Sequence, residues 1–340
     1  MINHPFLLHM VLTLTLMHDR FLTPLTTSTS TSPSTNKQSP TEAFHWYAAT
    51  TLFNSILLHT HPPHHHPTAP TTTTPLHPSE RDAIWACAIL LGAISFSFIE
   101  ARTPEQAWPL KPSSPADLDW LRISDGKREV WRMTEPERPD SVWRELGEVY
   151  RRHAEEEEER EEEGWIGVGV GGDGLQDVPE EVVEVYDLAM GYTASSSQSG
   201  TLTKPKNPYA TAASVLLSLF TTPTTTPTTP SPSPTTPQNA KPPAIPKFIT
   251  FITRLDPTYK HLLELKDPLA LLLLAYWYAK VCECECARRW WVEARSRLEC
   301  RAICMYLEKR EGGGVDTRID DDTMKRLLRW PRRVCEGFVS

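Results

Sequence analysis

Several groups of residues in this sequence are spaced so as to invite a chemical reading. Gly167, Gly169 and Gly172 spell G-x-G-x-x-G. A dinucleotide fingerprint needs a strand before that loop, because the pyrophosphate sits at a βα turn. Here the acidic run Glu155 to Glu163 precedes it and would repel a pyrophosphate, so the glycines read as a flexible linker. The acidic run itself reads as a solvated, frayed helix end. His59, His61, His64, His65 and His66 offer imidazoles, which are good metal ligands. Their Pro-rich setting supplies no acidic or Cys partner and fixes no geometry, so no specific site is assigned. Cys282, Cys284 and Cys286 form a short thiol tract. Residues two apart on a helix point to nearly opposite sides, so on a helix they cannot share one ion. Asp125-Gly126-Lys127 lacks the first Gly and the Ser or Thr of a Walker loop, and neither G-x-S-x-G nor H-E-x-x-H occurs. The chain therefore reads as a non-enzyme with no cofactor and no metal of its own.

The best-organised chemistry is apolar. Leu269, Leu271, Leu272, Leu273, Leu274, Tyr276, Trp277 and Tyr278 make the segment Pro268 to Val281 apolar all round. From Ala287 a second helical stripe follows: Trp291, Ala294, Leu298, Ala302 and Met305, widened by Trp290, Ile303 and Tyr306. Two readings are open. The segments pack on each other as core, or they wall a pocket in which Trp and Tyr polar tips orient a lipophilic ligand. In the second reading the ligand-binding residues are Leu271, Leu274, Tyr278, Trp290, Trp291 and Tyr306.

The elements that must position these residues are helices. The chain has 340 residues, of which 39% are hydrophobic and 31 are Pro. The apolar residues gather in separated blocks with Pro and Thr in the gaps, the pattern of a helical core diluted by disordered inserts. Low-complexity loops or linkers are expected over 23–39, 60–78, 155–177 and 221–244. Between them helices are expected at Phe6 to Phe21, apolar almost all round and read as buried; at Thr41 to His59, capped by Thr41, with Phe44, Tyr47, Ala48, Leu52 and Ile56 on one side; and at Ser79 to Arg102, with Asp82 completing a capping box. Pro115 to Met133 is expected to break near Gly126, and Asp140 or Ser141 to cap the next helix. Val178 to Met190, Asn207 to Phe220, Pro246 to Leu265, Pro268 to Val281, Ala287 to Arg310 and Asp321 to Val334 complete an all-α architecture, a single multi-helix domain over 3–336. A net charge of −8 disfavours a broad nucleic-acid face, and the 7 cysteines, odd in number, read as reduced thiols. Phe6 to Leu22, Ala83 to Ile99 and Leu269 to Val281 are short or polar enough to read as core helices, not membrane spans.

Several segments, taken in order, carry a family resemblance. His4-Pro5-Phe6-Leu7-Leu8-His9-Met10-Val11-Leu12-Thr13-Leu14 with His18 resembles the opening of the regulatory domain of fungal Zn2Cys6 transcription factors. Phe44-His45-Trp46-Tyr47, Asp119-Trp120-Leu121 with Gly126, the run Pro268 to Tyr278, Trp290-Trp291 and Trp330-Pro331 resemble its later motifs. The resemblance, to the sterol-uptake-control type, covers residues 3 to 331 outside the linkers. It implies a transcription regulator: a helical effector or ligand-sensing domain, nuclear in its working state or moving there from the cytoplasm, with a sterol-like lipophile as ligand. It also implies transcription machinery or co-regulator proteins as partners and a homodimer as one assembly. The family's zinc cluster, built from two Cys-x2-Cys-x6-Cys halves, has no counterpart in these residues. No zinc and no direct DNA binding are therefore expected of this chain unless an N-terminal region precedes it. The alternative is a stand-alone helical protein-interaction or lipid-binding module with no role on DNA.

Overall fold

The computed structural model describes residues 3–22, 38–60, 76–149, 151, 152, 155, 178–192, 207–221, 248–283, 290–309 and 319–337. Among these every regular element is helical, as the sequence pattern requires. Gly167, Gly169 and Gly172, His61 to His66, Glu156 to Glu163, and Cys284 and Cys286 lie outside the described residues, as does most of each expected linker. The chain falls into two compact units: one takes residues up to Phe98 together with Arg122–Arg152, the other Ile99–Leu121 and the chain from His153.

The first unit is built on α1 (Pro5–Leu22), α2 (Pro40–Thr60), α3 (Pro78–Ser97) and most of α4 (Asp119–Thr134). Phe6, Met10, Thr13 and Met17 bury a single stripe of α1. The helix is therefore not buried all round: Phe21 and Leu22 are open to solvent. The stripe meets α2 through a Phe6–Phe53 ring contact at 6.0 Å and a His9–His45 hydrogen bond, Nδ1 to Nδ1, at 2.7 Å. One imidazole must donate and the other accept. Arg20 reaches the buried carboxylate of Glu42 at 3.2 Å.

Several expectations for this unit are corrected. α2 starts at Pro40, and the Ser39 hydroxyl accepts from the Glu42 amide at 3.1 Å, so Ser39 and not Thr41 is the cap. Its buried face is Glu42, Ala49 and Phe53, while Phe44 and Tyr47 are mostly exposed. In α3 Pro78 occupies the first helical position and His77 caps Ser79, so Ser79 and Asp82 form no capping box. Asp82 instead anchors a tertiary junction. It pairs with Arg138 at 2.6 Å and accepts the Ser141 hydroxyl at 2.8 Å, and its carbonyl accepts the Trp143 indole N–H at 3.1 Å. Ser141 also accepts from the Trp143 amide at 3.1 Å, capping the helical residues 144–149. α3 ends at Ser97 because Phe98 turns extended, and α4 runs unbroken through Gly126, whose missing side chain faces open space.

The second unit holds α5 (Glu180–Met190), α6 (Ala210–Thr221), α7 (Phe248–Arg254), α8 (Pro257–Glu264), α9 (Pro268–Glu283), α10 (Trp290–Glu308), α11 (Asp321–Leu327) and α12 (Arg329–Glu336). The single helix expected over Pro246 to Leu265 is two. Asp256, preceding Pro257, is pushed to extended backbone, and its side chain caps the Thr258 amide at 2.7 Å. α8 ends in a Schellman turn: Asp267 N–H bonds Leu262 O and Lys266 N–H bonds Leu263 O, each at 2.9 Å, with Lys266 at φ 56°. The Lys266 side chain reaches the Pro109 carbonyl at 2.7 Å and lies 5.5 Å from the Tyr306 ring centre. The expected Asp321 to Val334 helix is likewise two, started by the Asp320 side chain and divided at Leu328. α9 is the axis of this unit. It is buried on every side, as its all-round apolar sequence requires, and packs against α5, α6, α7, α8, α10 and α12.

Candidate functional site

α9 carries three successive aromatic residues, and the phenols among them must find partners when buried. Tyr276 donates to the Leu327 carbonyl at 2.8 Å; from α8, Tyr259 donates to the Ala270 carbonyl at 2.8 Å. Both are backbone clamps. Tyr278 is different: its hydroxyl donates to the carboxylate of Glu299 on α10, and Arg295, one turn earlier, donates to the other oxygen of that carboxylate. Arg295 is 7% exposed and Glu299 3%. The guanidinium carbon lies 5.7 Å over the Trp120 ring. Trp120 stacks on Trp277 at 6.0 Å and 10°, and Trp277 on Phe251 at 5.2 Å and 14°. A buried ion pair with a phenol on one side is thus set against a column of aromatic faces.

Its electrostatics follow from burial. Desolvation raises the Glu299 carboxyl above its ordinary value, against the pull of Arg295 and Tyr278. Burial and the Glu299 charge push the Tyr278 phenol well up, so Tyr278 is a fixed donor and not a proton source. A carboxylate has room for about four donors, and Tyr278 and Arg295 supply a minimal pair. The arrangement offers no nucleophile.

The residues chosen from sequence are placed unequally. Leu271, Leu274 and Tyr278 are fully buried on α9. Trp290 and Trp291 are half-buried at the start of α10, and Tyr306 is half-buried near its end beneath Lys266. The sixteen helical steps from Trp290 to Tyr306 span about 24 Å, so the two ends cannot orient the same ligand hydroxyl. The stripe Trp291, Ala294, Leu298, Ala302 and Met305 is not the inner face of α10. Val292, Arg295, Ser296, Glu299, Cys300, Ala302, Ile303, Cys304 and Leu307 are buried, so of the stripe Ala302 alone is buried, and Ala294 is exposed. Glu299 and Arg295 were missed, and Trp120 was singled out only as part of the resemblance, not as a site residue. The sequence signal for the pair was the Arg295–Glu299 spacing of four, which reads equally well as a surface ion pair.

A shallow pocket of about 400 Å³ opens beside α12, lined by Arg329, Arg332, Arg333, Glu336 and Gly337. None of the residues chosen from sequence lines it. Among the described residues no group of His, Cys, Asp and Glu could hold a metal ion, and no helix is long and apolar enough to cross a membrane.

No protein-family model, no curated protein and no solved structure matches the chain.

Proposed function

We propose that the chain is a transcription regulator, the effector or ligand-sensing domain of a fungal zinc-cluster factor of the sterol-uptake-control type, with no catalytic activity of its own. One observation carries the reading. Segments far apart in sequence that bear the resemblance meet in one aromatic core: Trp120 stacks on Trp277, and Tyr276 stacks on Trp330 at 5.2 Å and 28°. Motifs whose order and spacing matter should converge in this way, since each contributes one wall of a common core.

In this reading the ligand is a sterol-like lipophile, a rigid apolar body with one hydroxyl. Leu271 and Leu274 supply apolar wall, and the Tyr278–Glu299–Arg295 centre receives the hydroxyl. The partners are co-regulator proteins or transcription machinery, met in the nucleus.

The test tethers the full chain to a heterologous DNA-binding module in a fungal cell and follows a reporter as sterol is depleted. The reading expects a severalfold change in output that Tyr278→Phe weakens. Output that ignores both tethering and sterol, with the protein present at normal level, removes it in favour of a stand-alone interaction module.

A further inference from the structure

α2 is marked by what its outer face lacks. From Pro40 to Thr60 the only Asp, Glu, Lys or Arg is Glu42, and Glu42 is buried against Arg20. Solvent therefore meets a face without a fixed charge. It meets instead Phe44, Tyr47, Thr51, Asn54 and Leu58, all exposed, Tyr47 and Leu58 at 70% and 63%. Their spacing of three, four, three and four is the heptad repeat of a helix that packs on another along one narrow seam. The residues beside the seam, Ala43, Ala48, Thr50 and Ser55, are small and let a second helix come close.

We propose that this seam is a dimer interface, with α2 of a second copy of the chain lying antiparallel across it. The spacing selects the register. Setting Tyr47 against the partner's Leu58 places Thr51 opposite the partner's Asn54, and the two-fold axis repeats both layers. The two inner layers are then polar and the two outer ones apolar. Thr51 and Asn54 are exposed, and among the described residues their side chains make no hydrogen bond. The Asn54 amide can therefore donate to the partner's Thr51 hydroxyl without breaking an internal bond. A polar pair inside such a seam fixes one register at some cost in stability.

The chemistry of the face favours a second copy over other occupants. A helix that lies on a membrane surface carries Lys and Arg on its polar side, and α2 has neither. A charged partner helix would find nothing on the seam to pair with. The seam is aromatic at one end, where Phe44 and Tyr47 stand, and aliphatic at the other, at Leu58. A two-fold axis brings each end against its complement.

The resemblance admits a homodimer without giving it a surface; α2 supplies one. The seam belongs to the first unit, and its pairing does not depend on whether the second unit senses a sterol. One helix seam per copy falls at the small end of specific interfaces, below about 1,200 Å² in total. The dimer is therefore weak and depends on concentration.

The experiment is sedimentation equilibrium of the full chain over about a hundredfold range of concentration. The mean mass should climb from that of one chain toward that of two. Tyr47→Lys and Leu58→Glu each place a charge on the seam and should weaken association at least about tenfold. Both positions are exposed, so the fold should hold, with circular dichroism as the check. Both changes in one chain set Lys against Glu in each outer layer of an antiparallel pair and should restore most of the association. In a parallel pair like charges would meet and association would fall further. Leu265→Glu, on an exposed residue of the second unit, should change nothing. A wild-type chain that stays single at the highest concentration overturns the proposal and leaves the face to a different partner. So does a dimer that neither single variant weakens, or one that the double variant fails to restore. The wild-type run decides the first point even if a variant fails to fold.

Discussion

Replacing Arg295 by Met keeps the length and much of the packing of the side chain over Trp120 but removes the charge. The Glu299 carboxylate, 3% exposed, then loses its ion-pair partner and keeps the Tyr278 hydroxyl and the weaker pull of Lys111. At about 4 Å and an effective dielectric of about 20, the lost attraction is about 4 kcal/mol. Breaking buried pairs from one side typically costs about 3–5 kcal/mol, so the two estimates agree. The cost must also depend on pH. Glu299 already binds its proton more tightly in the folded chain than the ordinary 4.5, because burial outweighs Arg295 and Tyr278. Without Arg295 its folded value rises further. Between the unfolded and folded values the folded chain holds more protons, so stability falls as pH rises through that window. Arg295→Met should therefore be most destabilised at neutral pH, and part of the loss should return toward pH 4.5 and below. The assay is the urea midpoint of the full chain across that range. Combining Arg295→Met with Glu299→Leu and Tyr278→Phe should recover most of the loss, since no buried charge is then stranded. A loss below about 1 kcal/mol, or one that does not change with pH, would refute the view of Arg295 and Glu299 as a desolvated pair.

Further expectations concern the rest of the molecule. Desolvation lowers the Lys127 amino group from 10.5 to about 8; at about 1.4 kcal/mol per pH unit this caps the benefit of Lys127→Met near neutrality at about 3 kcal/mol. Because the folded chain then holds fewer protons than the unfolded one between the two values, wild-type stability should rise from about pH 8 to 10.5, and the variant should show no such rise in thermal melts. In Gly92→Ala the new Cβ would stand 2.0 Å from the Lys127 amino nitrogen, so the amine should move toward water and titrate closer to 10.5 by NMR. Asp82→Ala removes the closest carboxylate from Arg138, 8% exposed, which keeps Asp140 at 3.0 Å, and removes an acceptor for Ser141, so it should cost about 1–3 kcal/mol, whereas Glu129→Ala, in an exposed pair with Arg132, should cost under about 1 kcal/mol. The purified chain should bind no specific DNA sequence and should survive a chelator unchanged; cooperative unfolding on chelation would contradict this.

The helical class was legible because α9 and α1 carry dense apolar runs with helix-compatible flanks, and α9 is buried on every side as read. What failed was the choice of face. In α2 and α10 three of the aromatic residues expected on the core face, Phe44, Tyr47 and Trp291, are exposed or half-buried, while Glu42, Arg295 and Glu299 point inward. Periodicity weighs hydrophobicity alone and cannot see that a charged residue is buried when its partner is supplied nearby. Glu42 is buried because Arg20 comes from another helix; Glu299 is buried because Tyr278 does. The split at Pro257 was visible in the sequence, since a residue before Pro resists helical backbone. The split at Leu328 was visible too: Pro331 has no N–H for the Leu327 carbonyl and its ring crowds that group, so the carbonyl takes the Tyr276 hydroxyl instead. Of the candidate site, Tyr278 was found and its two partners were not. The aromatic column from Phe251 to Trp120 joins residues more than a hundred positions apart, and no local pattern reports that.

The central claim is that the second unit senses a sterol-like lipophile through the Tyr278–Glu299–Arg295 centre. A ligand that binds only the folded chain raises its melting temperature by mass action, and at about a hundredfold over its dissociation constant it adds about 2.7 kcal/mol. The most direct measurement is the thermal melt of the full chain with and without saturating ergosterol, beside Tyr278→Phe. The account predicts a concentration-dependent rise of several degrees that the variant loses in large part. A melting curve unchanged by ergosterol in the wild-type chain would contradict it, and would leave the aromatic column and its ion pair as core alone.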